Sequence, residues 1–204
     1  LSASAVSPCT ISFNDPMILT IRKTPTVNAG ADATVCQTAT HALSGSATNY
    51  SSVLWSTSGN GTFSNTAVLN PVYTPGTNDI TNGSVILTLV ANAIVPCSGS
   101  VTDTKVLVLQ KSPTANAGAD ATICQSGTHA LSGSAANHSS VQWSTSGNGT
   151  FSSASSLNAI YTPGTVDITN GSVILTLTAL AVSPCTVSAS DTKTLVIQKL
   201  PTAN

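Results

Sequence analysis

A chain of 204 residues with a net charge of −1, 6% charged and 41% hydrophobic side chains offers no electrostatic case for nucleic acid or an anionic membrane surface as partner. Low charge with few apolar residues would signal disorder, but a mean hydropathy of +0.25 argues for a packed chain. The longest apolar run, VANAIV from Val90, is far short of a membrane span.

The chain repeats itself, which governs how the rest is read. DATVCQTATHALSGS from Asp32 returns as DATICQSGTHALSGS from Asp120. Pro25 and Pro113, Trp55 and Trp143, Cys36 and Cys124, and Cys97 and Cys185 are each separated by 88 positions, ungapped, with about seven residues in ten identical. The phase continues at both ends, since AVSPCT at Ala5 recurs at Ala181 and PTAN at Pro113 recurs at Pro201. Residues 1–24 are therefore expected to be the C-terminal part of a preceding repeat, its last two strands. Residues 25–112 and 113–200 are two complete repeats, and 201–204 begin another.

No stretch carries the i, i+3, i+4 apolar spacing of a helix, and turn signals recur every several residues. In chain order, strands are predicted over 26–29 and 33–36, then 41–46, 52–57, 61–64, 69–74, 84–93 and 102–110. In SVLWSTS, Val53 and Trp55 share a face with Leu54 opposite. In SVILTLVA, Val85, Leu87 and Leu89 point one way and Ile86, Thr88 and Val90 the other. The second copy identifies the inward face, because an inward position keeps its shape while an outward one drifts. Val53, Trp55, Val85, Leu87 and Leu89 return as Val141, Trp143, Val173, Leu175 and Leu177, whereas Leu54 becomes Gln142 and Val90 becomes Thr178. In the last strand Leu107 and Leu109 match Leu195 and Ile197, while Val106 across the pleat becomes Thr194. Counting 26–29 and 33–36 as two halves of one edge strand, seven short strands between SGNG, TPGTNDITNG and PCSG turns predict an all-β fold of tandem immunoglobulin-like sandwiches. LQKS runs directly into PTANAG, and so short a proline-bearing connection favours stiff end-to-end stacking.

PTANAGADATIC, LSGSA, WSTSGNGTF, LNPVYTPG, GSVILTLTA and DTKTLVIQK resemble the PKD-like, immunoglobulin-like repeats of very large secreted surface proteins of Bacteroidetes, the SprB-type gliding adhesins among them. The resemblance covers essentially the whole chain. It implies a parent exported by type IX secretion, carrying tens of copies and forming a filament or adhesin on the cell surface.

Five cysteines at fixed phase, with no other metal-ligand cluster around them, read as disulfide chemistry in an oxidising, extracytoplasmic setting. An immunoglobulin domain bridges its two sheets through the core, but Cys36 precedes the turn QTAT and Cys97 sits in the turn VPCSG. In a sandwich of this topology those turns lie at opposite ends, and bridged Cα atoms must lie within about 7 Å. The preferred pairing joins consecutive repeats through Cys36–Cys185, with Cys9, Cys97 and Cys124 pairing with residues of further repeats. The alternative is internal, Cys36–Cys97 and Cys124–Cys185, with Cys9 left over.

Catalytic constellations are missing: Glu is absent and all seven acids are Asp, so paired carboxylates or a nucleophile with its base find no foothold. The expectation is a protein that is not an enzyme and needs no cofactor. Asp79 and Asp167, in TPGTNDITNG and TPGTVDITNG, are weak Ca²⁺ candidates, a single carboxylate being thin for a cation that takes six to eight oxygens; a loop-capping role is favoured. Asp103 with Lys105 and Asp191 with Lys193 read as solvated same-face ion pairs, and His41 and His129 as turn or surface residues. Trp55 and Trp143 could serve as sugar platforms, but their inward parity makes them core. NYS, NGT and NGS at Asn49, Asn60 and Asn82 mark exposed turns that leave a surface glycan open. The function expected is that of a structural repeat in the shaft of an extracellular filament or giant surface adhesin, serving adhesion or gliding. Its partners are the neighbouring repeats and, in a fibre, identical chains. The alternative is a carbohydrate-binding or accessory module of a secreted multidomain enzyme.

Overall fold

The computed structural model describes residues 1–201; the expected opening of a further repeat at 201–204 lies, beyond Pro201, outside the described residues. A two-stranded hairpin, β1 (Ser2–Ala3) and β2 (Phe13–Asn14), comes first. The first sandwich unit follows with β3 (Thr26–Asn28), β4 (Ala33–Cys36), β5 (His41–Ala42), β6 (Ser46–Thr48), β7 (Tyr50–Thr57), β8 (Thr62–Phe63), β9 (Val72–Thr74), α1 (Thr77–Asn82), β10 (Ser84–Ala93) and β11 (Ser100–Gln110). The second unit repeats them as β12 (Thr114–Asn116), β13 (Ala121–Cys124), β14 (His129–Ala130), β15 (Ser134–Ala136), β16 (His138–Thr145), β17 (Thr150–Phe151), β18 (Ile160–Thr162), α2 (Thr165–Asn170), β19 (Ser172–Ala181) and β20 (Ala189–Gln198).

In each unit a four-stranded sheet, β4-β11-β10-β7 or β13-β20-β19-β16, faces a three-stranded sheet, β5-β9-β8 or β14-β18-β17, with the short pairs β3-β6 and β12-β15 alongside. The alternation read from sequence becomes the core. Trp55, Val85, Leu87, Leu89, Leu107 and Leu109 are buried in the first unit, and Trp143, Val173, Leu175, Leu177, Leu195 and Ile197 in the second. Leu54, Ile86 and Val108 project from the opposite face and are exposed. Phe63 lies with its ring centroid 6.1 Å from that of Trp55 and 4.9 Å from that of Tyr73, an aromatic run that fills the space between the sheets.

Two elements differ from the sequence expectation. The strand predicted over 41–46 is split into β5 and β6, because Leu43 N and Gly45 N turn to the carbonyls of Pro71 and Leu69. Gly45 is required there: a Cβ would stand 2.8 Å from Leu69 O and 3.0 Å from Trp55 Cζ2. The turn TPGTNDITNG holds a helix, where none was expected. Six residues, Thr77–Asn82, wind up and stop at Gly83, whose φ of 77° supplies the left-handed cap.

Candidate functional site: the joint between repeats

β4 runs parallel to β11 in the register Leu107↔Ala33 to Gln110↔Cys36. Its last residue, Cys36, therefore lies where β11 ends and Lys111–Ser112 lead into Pro113 of the second unit. Cys185 sits in the β19–β20 turn of that unit, just after the cis Ser183–Pro184 peptide. A disulfide joins Cys36 to Cys185 with their Cα atoms 4.8 Å apart, inside the range such a bridge accepts. Cys185 is buried, with its Sγ 3.4 Å from the Gln110 carbonyl oxygen. Thr38 Oγ1 donates to Cys36 Sγ at 3.6 Å, a weak bond to a weak acceptor. Beside the bridge opens a cleft of about 390 Å³, bordered by Thr38, Ser112, Pro184 and Val187. Cys9, Cys97 and Cys124 are free thiols in this chain, so neither internal pair, Cys36–Cys97 or Cys124–Cys185, forms.

The junction ahead of the first unit repeats this geometry. Asn137, in a left-handed conformation, donates its Nδ2 to Ser112 O at 3.3 Å, and Asn49, likewise left-handed, donates to Thr24 O at 3.3 Å. Cys97 Sγ lies 3.7 Å from Arg22 O, the counterpart of the Cys185–Gln110 approach. β1 and β2 pair in the register Ser2↔Asn14 and Ala3↔Phe13, which is Val90↔Thr102 and Ala91↔Val101 of the first unit shifted by 88 positions.

The polar residues singled out from sequence have structural partners. Asp79 is 1% exposed. Its Oδ2 accepts from Tyr73 OH at 2.7 Å and Gly76 N at 2.9 Å, and its Oδ1 from Asn60 N at 3.1 Å. Asp167 repeats this with Tyr161, Gly164 and Asn148. A carboxylate ringed by three N–H and O–H donors acts as a loop clamp, with most of its lone-pair sites taken. Burial alone would raise the Asp167 carboxyl, but the donors, Tyr161 first among them, outweigh it and hold the group below the usual carboxylate range. Burial, joined by the neighbouring Asp79 and Asp167, pushes the phenols of Tyr73 and Tyr161 up to about 12.

The same-face ion pairs are corrected. Lys105 shares the parity of Leu107 and Leu109 and is only 3% exposed; its Nζ meets His41 Nε2 at 3.2 Å. Asp103 instead accepts from Ala29 N at 2.7 Å, tying β11 to the end of β3. Lys193 with His129, and Asp191 with Ala117, do the same in the second unit. His41 and His129 are half-buried at the start of β5 and β14, not the surface residues expected, and burial, then the neighbouring lysine, lowers the pKa of both. The signal available in the sequence was the lysine's phase with two inward leucines. Trp55 and Trp143 are each 1% exposed and present no ring to a sugar. Among the described residues no group of three or more His, Cys, Asp or Glu side chains is gathered to hold a metal ion, and no helix is long and apolar enough to cross a membrane.

No protein-family model and no curated protein sequence matches the chain. Solved structures match the fold at low identity. Protocadherin gamma C5 EC1-3 aligns with a TM-score of 0.50 and 15% identity over 88% of this chain and 70% of that one. Mouse clustered PcdhgC3 EC1-3 aligns at 0.52 and 11% identity over 87% and 69%. Drosophila N-cadherin EC1-4 aligns at 0.52 and 11% identity over 87% of this chain and half of that one. The likeness extends over both units and shows the architecture of successive immunoglobulin-like sandwiches.

Proposed function

We propose that this chain is a segment of the shaft of an extracellular filament or giant surface adhesin, a structural part whose work is length, stiffness and display. The observation that carries the reading is the joint. Two junctions 88 positions apart present the same asparagine grip and the same cysteine-to-carbonyl approach, and one is closed by a disulfide. Copying one joint is the simplest way to build a rod, since each added unit meets the same interface. The array continues on both sides, so that Cys9, Cys97 and Cys124 find partners in further repeats.

Disulfide use supports a location outside the cytoplasm, and the resemblance to PKD-like repeats supports a Bacteroidetes parent, exported by type IX secretion, acting in adhesion or gliding. Electron microscopy of native surface material should show filaments with one regular axial spacing, labelled along their length by an antibody to this chain. Absence of filaments, together with glycan-array binding abolished by mutation of exposed side chains, would favour an accessory carbohydrate-binding module instead.

A further inference from the structure

We infer that the disulfides and strands of this array form a two-ply covalent cable that carries axial load past the sandwich cores. The inference rests on the shaft reading above and concerns where tension runs. From Cys97 the chain descends β11, crosses the junction at Pro113, and continues through β12 and β13 to Cys124. Cys9 to Cys36 is the same stretch one repeat earlier, through β2, β3 and β4. Cys36 then passes by its disulfide to Cys185, at the head of β20. One ply thus runs from Cys9 through β4, across the sulfurs and into β20. The other runs from Cys97 through β11 and the peptide linker into β13.

In both units the two plies lie side by side. β4 and β11 are parallel neighbours in the first, and β13 and β20 are parallel neighbours in the second. Each ply therefore alternates between the two strand positions from one unit to the next, crossing one joint by a peptide bond and the following joint by a disulfide. The strands that carry most of the core, β5 to β10, lie between Cys36 and Cys97 and span between the plies as a side branch. Tension along the axis need not pass through them. The stretch from Cys97 to Cys124 has little slack, because most of its length is extended strand already, with 11 residues in β11, 3 in β12 and 4 in β13, and a strand near 3.3 Å per residue is close to the limit of the chain.

Single-molecule stretching of the 204-residue chain, held at its two ends, tests the path. Oxidised protein should never release the segment between Cys36 and Cys185. Reduction, or Cys36→Ser, should add its 149 residues, a gain of roughly 490–540 Å in contour length. Cys124→Ser lies inside the closed segment and should leave the oxidised length unchanged, while the near-ultraviolet signal of Trp55 and Trp143 confirms that each variant is folded. Equal lengths in oxidised and reduced protein, or lengthening by Cys124→Ser, would overturn the bypass. The second ply is read on the intact parent by non-reducing peptide mapping. Cys97 should be recovered joined to the cysteine at the Cys36 position of the preceding repeat, and recovery of Cys97 as a free thiol would reduce the cable to one ply. Failure to find filaments would remove the shaft reading without altering the force curve, so the two can fail separately.

Discussion

Each unit turns on a few buried polar side chains whose partners fix the turns around them. Tyr73 OH donates to Asp79 at 2.7 Å and pairs with Thr57 Oγ1 at 2.9 Å. Tyr73→Phe leaves a fully buried carboxylate one donor short, so chemical denaturation should show a loss of about 1–3 kcal/mol for the first unit, whereas Thr57→Val should cost less. Titration adds a second test. The phenols of Tyr73 and Tyr161 sit at about 12, above their ordinary value of 10.0. The unfolded chain therefore loses those protons first, and stability present below pH 10 should drain away between pH 10 and 12. His41 and His129 run the other way: their folded pKa lies below 6.5, so the unfolded chain takes up protons first and stability should fall as pH drops below 6.5. Urea midpoints measured from pH 5 to 11.5 should trace both limbs, and Tyr73→Phe with Tyr161→Phe should flatten the alkaline one. Asp79 was legible in the sequence as a loop cap. The lysine–histidine contact was not, because charge argued for solvent where strand parity, the better guide, argued for the core.

Strands were readable wherever one face is apolar over several residues. β10 coincides with the predicted 84–93 and β4 with 33–36, since alternation is a direct imprint of a half-buried pleat. The helix α1 escaped notice because six residues are too few to display a 3.6-residue period, and its markers, a capping aspartate and a following glycine, also describe a turn. The break between β5 and β6 depends on a close approach across the sandwich that only tertiary structure reveals. Gly45→Ala would bring a Cβ within 2.9 Å of Leu89 Cδ2 and 2.8 Å of Leu69 O, and overpacking of that kind should cost about 1–3 kcal/mol. Gly99→Ala, where a Cβ meets nothing within 4 Å but φ is 98°, is a control for backbone strain alone. If Gly45→Ala unfolds at the denaturant midpoint of the unsubstituted chain, the close approach of Leu69, Leu89 and Trp55 is not what holds that glycine.

At the scale of the whole molecule, a repeat spacing of 88 positions and the placement of each cysteine at a unit's end were both visible in the sequence. They made a bridge between units geometrically reasonable, while leaving internal pairing open until the turns were located in space. The parallel β4–β11 ladder then supplied the missing fact, since Cys36 stands opposite Gln110 at the doorway to the next unit. Closing a loop of 149 residues should stabilise the pair of units by about 2–5 kcal/mol on the chain-entropy account, so Cys185→Ser should lower the urea midpoint of oxidised protein and leave that of reduced protein unchanged. The claim on which the account rests is that successive sandwiches meet in one fixed pose locked by sulfur, and non-reducing proteolysis with mass spectrometry reads it directly. A Cys36 peptide linked to a Cys185 peptide is the predicted product; Cys36 linked to Cys97, with Cys124 linked to Cys185, would contradict it.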